Sequence, residues 1–217
     1  MDVPKLYRKR FSTIEYEQKN QLWRILCEHF FQKYVHPSDA VLDVGAGYCE
    51  FINHINCRHK IALDSNEETK LYADKAVQVI QASSSNMSML PDASVDTAFT
   101  SNFLEHLPDK EELLMSLTEI YRVLRRGGRI LILQPNIRFL HGEYWDFLDH
   151  HIPLTDRTLV EALELTGFQV TEVRPRFLPF TTKSRLPQHA WLIRLYLLIP
   201  PAQWLLGKQT WIVAVKL

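Results

Sequence analysis

Three short stretches hold most of the chain's chemical content. In Asp43-Val44-Gly45-Ala46-Gly47-Tyr48-Cys49, two glycines one residue apart follow an apolar run and a carboxylate. Gly45 and Gly47 let the backbone turn sharply and approach a ligand closely. Nineteen residues after Gly45, the apolar run KIAL ends in Asp64. A carboxylate there can accept both hydroxyls of a ribose. A G-x-G alone is equally the tight turn of an ordinary strand-to-helix junction. With Asp64 it points to a ligand that contains a nucleoside. The third stretch, residues 134–155, is dense in Asn136, Arg138, His141, Tyr144, Trp145, Asp146, Asp149, His150 and His151. A structural loop rarely needs so many polar and aromatic groups.

The charges near the glycines narrow the ligand. A dinucleotide loop reads G-x-G-x-x-G and receives pyrophosphate at a helix start. Here the third position is Glu50, whose carboxylate would repel a pyrophosphate. This disfavours a nicotinamide dehydrogenase. Asp43 is a second anion, suited to a cationic group. S-adenosylmethionine offers both features: a ribose, and positive charge on its sulfonium and α-ammonium.

The elements that must position these residues alternate along the chain. Residues 14–35 read as an amphipathic helix ended by Pro37. Strands are expected at 40–44, 60–64, 76–80, 95–100, 129–134, 168–174 and 209–216. Helices are expected from Glu50, over 66–76, over 109–124 and over 155–166. Asp109 and Thr155 are the N-caps; Gly127-Gly128 and Gly167 are the stops. Short apolar strands alternating with helices imply a mostly parallel sheet covered on both faces. Ligands then bind beyond the carboxyl ends of the strands.

VLDVGAGYCEF, IALDSN, LPDASVDTAFTSNFLEHLPD and EIYRVLRRGGRILILQPN, in this order, resemble a class I S-adenosylmethionine-dependent methyltransferase of the methyltransferase type 11 kind. The resemblance covers residues 38–174. It implies an α/β, Rossmann-like seven-stranded sheet of order 3-2-1-4-5-7-6, with strand 7 antiparallel and helices on both faces. It implies that Asp43, Gly45, Ala46 and Gly47 line the methionine end of the cofactor. Asp64 and Ser65 would take the ribose. Residues 83–87, with Ser84 and Ser85, would flank adenine. Ser101, Asn102 and His106 would face the cofactor's amino-acid part. Many relatives have glycine where Cys49 stands and Asp where Ser84 stands. The Ser84 hydroxyl can also accept from the adenine amino group, but as a neutral group it bonds more weakly.

The acceptor side is expected after strands four and five. A hydroxyl nucleophile benefits from a general base, commonly His. His150 and His151 are the catalytic candidates, with Asp149 able to orient one imidazole. Tyr7, Asn136, Tyr144 and Trp145 are the acceptor-binding candidates, and Tyr16 is a further lid contact. No metal is expected, since no helical H-x-x-x-H spacing occurs. The DPPY-like motif of nucleobase amino methylation is absent, with SNFLEH in its place. The expected reaction is O-methylation of a small or lipid-linked acceptor. An N-methyltransferase and a cofactor-binding protein without catalysis are the alternatives.

One domain is expected: a helical lid (1–37), the cofactor core (38–174) with its acceptor insertion (135–154), and an apolar basic insertion (175–208). The 217 residues carry 25 Lys+Arg against 25 Asp+Glu. Zero net charge argues against nucleic-acid binding through a bulk positive field. Three cysteines without a C-x-x-C pair read as reduced thiols in the cytoplasm. No signal peptide or spanning helix is evident. The charge is uneven, however. Residues 173–217 contain seven cations and no acid, leaving 18 cations against 25 anions in the first 172. Within them AWLIRLYLLI (190–199) is apolar on nearly every side and Pro200-Pro201 ends it. A buried helix, a homodimer contact and a peripheral membrane or lipid-acceptor site through 177–208 are the three readings; a monomer fits the first and third.

Overall fold

The computed structural model describes residues 13–180 and 189–217, with side chains from Glu17 onward. Tyr7, Tyr16, Lys183 and Arg185 therefore lie outside the described side chains.

Seven strands form one sheet: β1 (Ala40–Val44), β2 (His59–Asp64), β3 (Val77–Gln81), β4 (Val95–Ser101), β5 (Leu124–Pro135), β6 (Phe168–Arg174) and β7 (Gln209–Lys216). Their order is β3-β2-β1-β4-β5-β7-β6. β1 pairs in parallel with β2 and β4, as does β4 with β5. β7 runs antiparallel to both β5 and β6. This is the expected topology. All five residues of β1 are buried, as a central strand covered on both faces requires.

The alternation of side chains along each strand divides the core into two layers. Leu42, Val44, Ile61, Leu63, Ala98, Ile130 and Ile132 face one side. There they meet Leu113, Leu117 and Ile120 of a helix at Lys110–Val123, and Leu159 and Leu163 of another at Asp156–Leu165. Val41, Ala62, Phe99, Leu131 and Trp211 face the other side. That layer is aromatic: Phe51 stacks on Phe99 at 3.7 Å, and Phe31 lies against Trp211 at 5.3 Å. It is covered by the helix Thr13–His29 and by Ile193, Tyr196 and Leu197 of the helix Ala190–Leu198.

The capping expectations match. Asp109 Oδ1 accepts from Glu112 N at 2.9 Å, and Thr155 Oγ1 from Thr158 N at 3.0 Å. Elsewhere the boundaries differ. The first α-helix stops at His29 and continues as a 3-10 turn over Phe31–Tyr34. The expected helix over 66–76 is only a 3-10 turn at Glu67–Leu71, because Asn53 holds the residues after Leu71. Asn53 Nδ2 donates to Tyr72 O, and its Oδ1 accepts from Asp74 N. The helix over 109–124 ends at Val123, not at the glycines. Gly127-Gly128 fall inside β5, which begins at Leu124. Pro200-Pro201 do not end the apolar segment. They start a second helix, Pro200–Leu206, where a proline lacking its N–H costs nothing in the first turn.

Candidate active site

Parallel strands bring Val44, Asp64 and Ser101 to one edge of the sheet. The glycine loop is tied down there from both ends. Gly45 N and Ala46 N donate to Leu63 O, and Gly47 N donates to Asp64 Oδ2 at 2.7 Å. Gly45 has φ +71°, and a Cβ on it would lie 2.3 Å from the Phe103 ring. No other residue fits that position. Cys49 sits at φ 59° and ψ 24°, the left-handed region. This explains why glycine suits the position: a side chain there carries strain of about 1–2 kcal/mol. The Cys49 side chain is nevertheless fully buried.

Three carboxylates converge on the loop. Asp43 is buried, and its carboxyl is held well above the usual carboxylate range by burial and then by Glu50 and Asp64. Asp64 is also raised, by burial, although the N–H groups of Asn66, Gly47 and Ser65 oppose this. Glu50 is paired with Lys19 at 2.6 Å. Such a cradle favours a cation, because positive charge relieves the cost of burying these anions. The residues therefore suit S-adenosylmethionine, and disfavour a pyrophosphate.

Beyond β3 the serine loop divides. Ser84 is buried, and its hydroxyl faces inward onto Ser116 Oγ at 2.7 Å. Ser83 and Ser85 stay outside and share Glu112 Oε1. Glu112, on the helix after Asp109, is thus the carboxylate that joins this loop. Nothing in the sequence marks it out, since it reads as an ordinary helix-start acid. Ser65 is exposed. After β4, Asn102 has φ 48° and donates from Nδ2 to Ser101 Oγ at 2.8 Å.

Two residues beyond Phe103 a polar cluster begins, buried at Glu105 and His150 and half-buried at His106. Glu105 is 1% exposed, and its Oε2 accepts from Gln134 Nε2 at 2.8 Å. His106 Nε2 and His150 Nε2 each stand 3.9 Å from Glu105 Oε1. His106 Nδ1 bonds Asp149 O at 2.8 Å. The His150 ring stacks on Phe147 at 5.0 Å and lies edge-on to Tyr144 at 4.8 Å. Burial pushes its imidazole below the ordinary 6.5, so it is held neutral. The segment bearing His150 folds back on this cluster through His151 N and Ile152 N, which both donate to Glu105 O.

The remaining expected residues separate cleanly. His151 is exposed, so the adjacent histidines do point apart. Tyr144 is fully buried, donating to Ile152 O and accepting from Leu154 N. Asn136 is fully buried between Asp156 Oδ1, Pro175 O and Arg138 N. Both side chains build the scaffold, and their polar atoms are committed to it. Trp145 is 51% exposed and packs on Tyr144. Glu105 and Gln134 were missed as a pair. Only the fold shows that the loop after β4 and the end of β5 place them together.

Residues 42–132 match the methyltransferase domain family. A Mycolicibacterium smegmatis protein named "Probable S-adenosylmethionine-dependent methyltransferase" is 33% identical over 169 residues, covering 74% of this chain. The chain spans 64% of that relative's length. Among solved structures, an Archaeoglobus fulgidus SAM-dependent methyltransferase superposes with TM-score 0.67 at 23% identity, over 91% of this chain and 94% of its own. A Haloferax volcanii protein solved with the Trm112 methyltransferase activator gives TM-score 0.67 at 17% identity, over 93% and 92%. These two show the same fold. The chain belongs to the class I S-adenosylmethionine-dependent methyltransferases, with a type 11 methyltransferase domain.

Proposed function

We propose that this protein transfers a methyl group from S-adenosylmethionine to an oxygen of a lipid-carried or similarly apolar hydroxyl acceptor, on the cytoplasmic side of a membrane. The carrying observation is the Glu105–His106–His150 cluster, buried at Glu105 and His150 and half-buried at His106, which begins two residues after Phe103, whose ring covers Gly45. A hydroxyl must lose its proton as it attacks, and this cluster is where that proton is managed. Bound S-adenosylmethionine supplies an already activated methyl group, so the chain's task is alignment and exclusion of water. Asp43 and Asp64 hold the cationic and ribose parts. Gly45 admits the close approach of the backbone. Phe147, Tyr144 and Phe180 surround His150 with rings and keep water from it. Three free thiols are compatible with a reducing compartment.

The acceptor class is supported by the surroundings of the cluster. Phe180, whose ring centre is 6.5 Å from that of His150, stands at the start of the apolar basic insertion. Where the insertion is described again, it forms two helices whose inner residues pack on the core. Its outer residues face solvent: Trp191 63% exposed, Leu198 78% and Trp204 70%. Arg194 stands among them, and the guanidinium of Arg176 lies over the Trp204 ring at 5.6 Å. Apolar rings with cations and no acid suit an anionic lipid surface. No helix among the described residues is long and apolar enough to cross a membrane. The protein should therefore sediment with anionic liposomes at low salt and release at high salt. Neutralising Arg194 together with Lys183 and Arg185 should weaken binding, whereas Lys208 is already paired with the Glu143 carboxylate at 2.6 Å. Sedimentation no greater than with neutral liposomes would remove the lipid-surface reading.

The reaction itself is tested with methyl-labelled S-adenosylmethionine and a membrane lipid extract. Label is expected in the organic phase, on a product whose new bond is a methyl ether. Label confined to amines would overturn the oxygen assignment.

A further inference from the structure

Glu105 and His106 come from the loop after β4, and His150 from a segment 44 residues further on. Each offers one donor atom, and the three atoms lie within 4.8 Å of one another. The geometry points to a divalent metal site, for Zn²⁺ or a similar first-row ion, built from Glu105, His106 and His150.

The spacing is close to that of ligands around an ion. Both imidazole Nε2 atoms stand 3.9 Å from Glu105 Oε1. That is about 1 Å longer than a charge-assisted hydrogen bond. It is about half an ångström wider than the ~3.3–3.4 Å between two donors held ~2.0–2.1 Å from a tetrahedral ion, a gap that small side-chain rotations close. Glu105 and His150 are buried and His106 is half-buried, and their polar atoms face one another beyond hydrogen-bond distance, which leaves room for an ion between them.

The surrounding shell orients the donors. Glu105 Oε2 is occupied by Gln134 Nε2, so the carboxylate presents Oε1 inward. His106 Nδ1 donates to the Asp149 carbonyl, with an Asp149 carboxylate oxygen also 3.4 Å away. That bond places the proton on Nδ1 and leaves the Nε2 lone pair free. Ligating histidines almost always have such a partner on the other nitrogen. His150 is oriented differently, by stacking on Phe147 and contact with Tyr144. Its side chain is 3% exposed, and Nδ1 has no hydrogen-bond partner. A neutral imidazole has one ring lone pair, and with the proton on Nδ1 that pair lies on Nε2, the atom that faces Glu105 Oε1.

Two histidines and one carboxylate leave an ion with an open position, the arrangement of catalytic rather than structural zinc. An acceptor hydroxyl entering that position would ionise more easily, since the metal lowers the pKa of a bound oxygen. This catalytic role rests on the oxygen-acceptor reading above; binding of the ion does not. The absence of a helical H-x-x-x-H spacing has no bearing here, because the ligands come from two separate loops.

The test uses the full-length protein, stripped with a chelator and titrated with Co²⁺ and then Zn²⁺. One equivalent of Co²⁺ should bind, with visible absorption bands that Zn²⁺ abolishes. His106→Ala and His150→Ala should each weaken uptake at least tenfold, while the exposed His151→Ala leaves it unchanged. Thermal unfolding identifies any variant that has not folded. Glu105→Gln, which keeps the shape of the side chain, gives a third measurement. Failure of the folded wild type to take up either ion overturns the site. So does uptake that survives both His106→Ala and His150→Ala. Stoichiometric uptake lost in the variants, together with methyl label found only on amines, upholds the metal site and removes the oxygen-acceptor reading instead.

Discussion

Replacing His150 by alanine should lower methyl-transfer turnover by roughly 10²–10⁴-fold, the scale of losing a group that manages the acceptor's proton. S-adenosylmethionine affinity should stay near that of the wild type. The two effects separate because His150 belongs to the segment after β5, whereas the cofactor cradle is built from the ends of β1 and β2. The variant also loses a buried ring, so its stability should fall by about 2–4 kcal/mol. Turnover must therefore be measured below its unfolding transition. His151→Ala is the informative neighbour. Its side chain is exposed and only its backbone N–H reaches Glu105 O. It should retain nearly full turnover and stability. Equal losses in the two variants would mean that the effect is structural, carried by the loop rather than by the imidazole. Full turnover in His150→Ala would remove this cluster from the chemistry.

The contrast between these adjacent histidines shows where sequence reasoning stops. The strands were legible because each is a short apolar run bounded by turn residues, while their order came from the family resemblance that the four ordered motifs carry. The caps at Asp109 and Thr155 were legible because a side-chain oxygen accepting from the backbone three residues on is a local event. Distant partners decided the rest. The helix expected over 66–76 lost to Asn53, which draws Tyr72 and Asp74 onto another element. Asn136 and Tyr144 looked like acceptor contacts because they are polar residues in a polar loop. Their partners, Asp156, Pro175, Ile152 and Leu154, make them part of the scaffold. Ser84 shows the same limit, its hydroxyl having turned to Ser116. Burial decided the histidines as well. No pattern within DHH says which ring turns inward, but Glu105 and Phe147 do.

Asp64→Ala should weaken S-adenosylmethionine binding by about 1.5–3 kcal/mol, roughly ten- to 150-fold, the range for hydrogen bonds to a charged group. From the sequence, a carboxylate at a strand end could be removed with little effect on folding. The structure changes that expectation. Asp64 accepts from Gly47 N at 2.7 Å and Asn66 N at 2.8 Å, so the variant leaves backbone donors without partners and loosens the glycine loop. Part of the lost affinity will come from that loosening. Asp43→Asn isolates the electrostatic part, because Asn can still accept the one backbone bond from Ile52. The sign follows from the raised carboxyl of Asp43. A folded-state pKa above the unfolded value means stability is fullest below the ordinary carboxylate value of 3.8 and is lost as pH rises through the raised value. Asp43→Asn should therefore stabilise the cofactor-free protein at neutral pH and do nothing for it in strong acid. It should also bind S-adenosylmethionine more weakly, having lost an anion that faces its positive charge. In the wild type, that positive charge favours the ionised carboxyls. Cofactor binding should release protons and tighten as pH rises through the raised carboxyl range. Calorimetry in buffers of different ionisation enthalpy measures the proton release directly. Binding that takes up protons, or an Asp43→Asn protein less stable than wild type at pH 7, would show that the acidic cradle does not act as described.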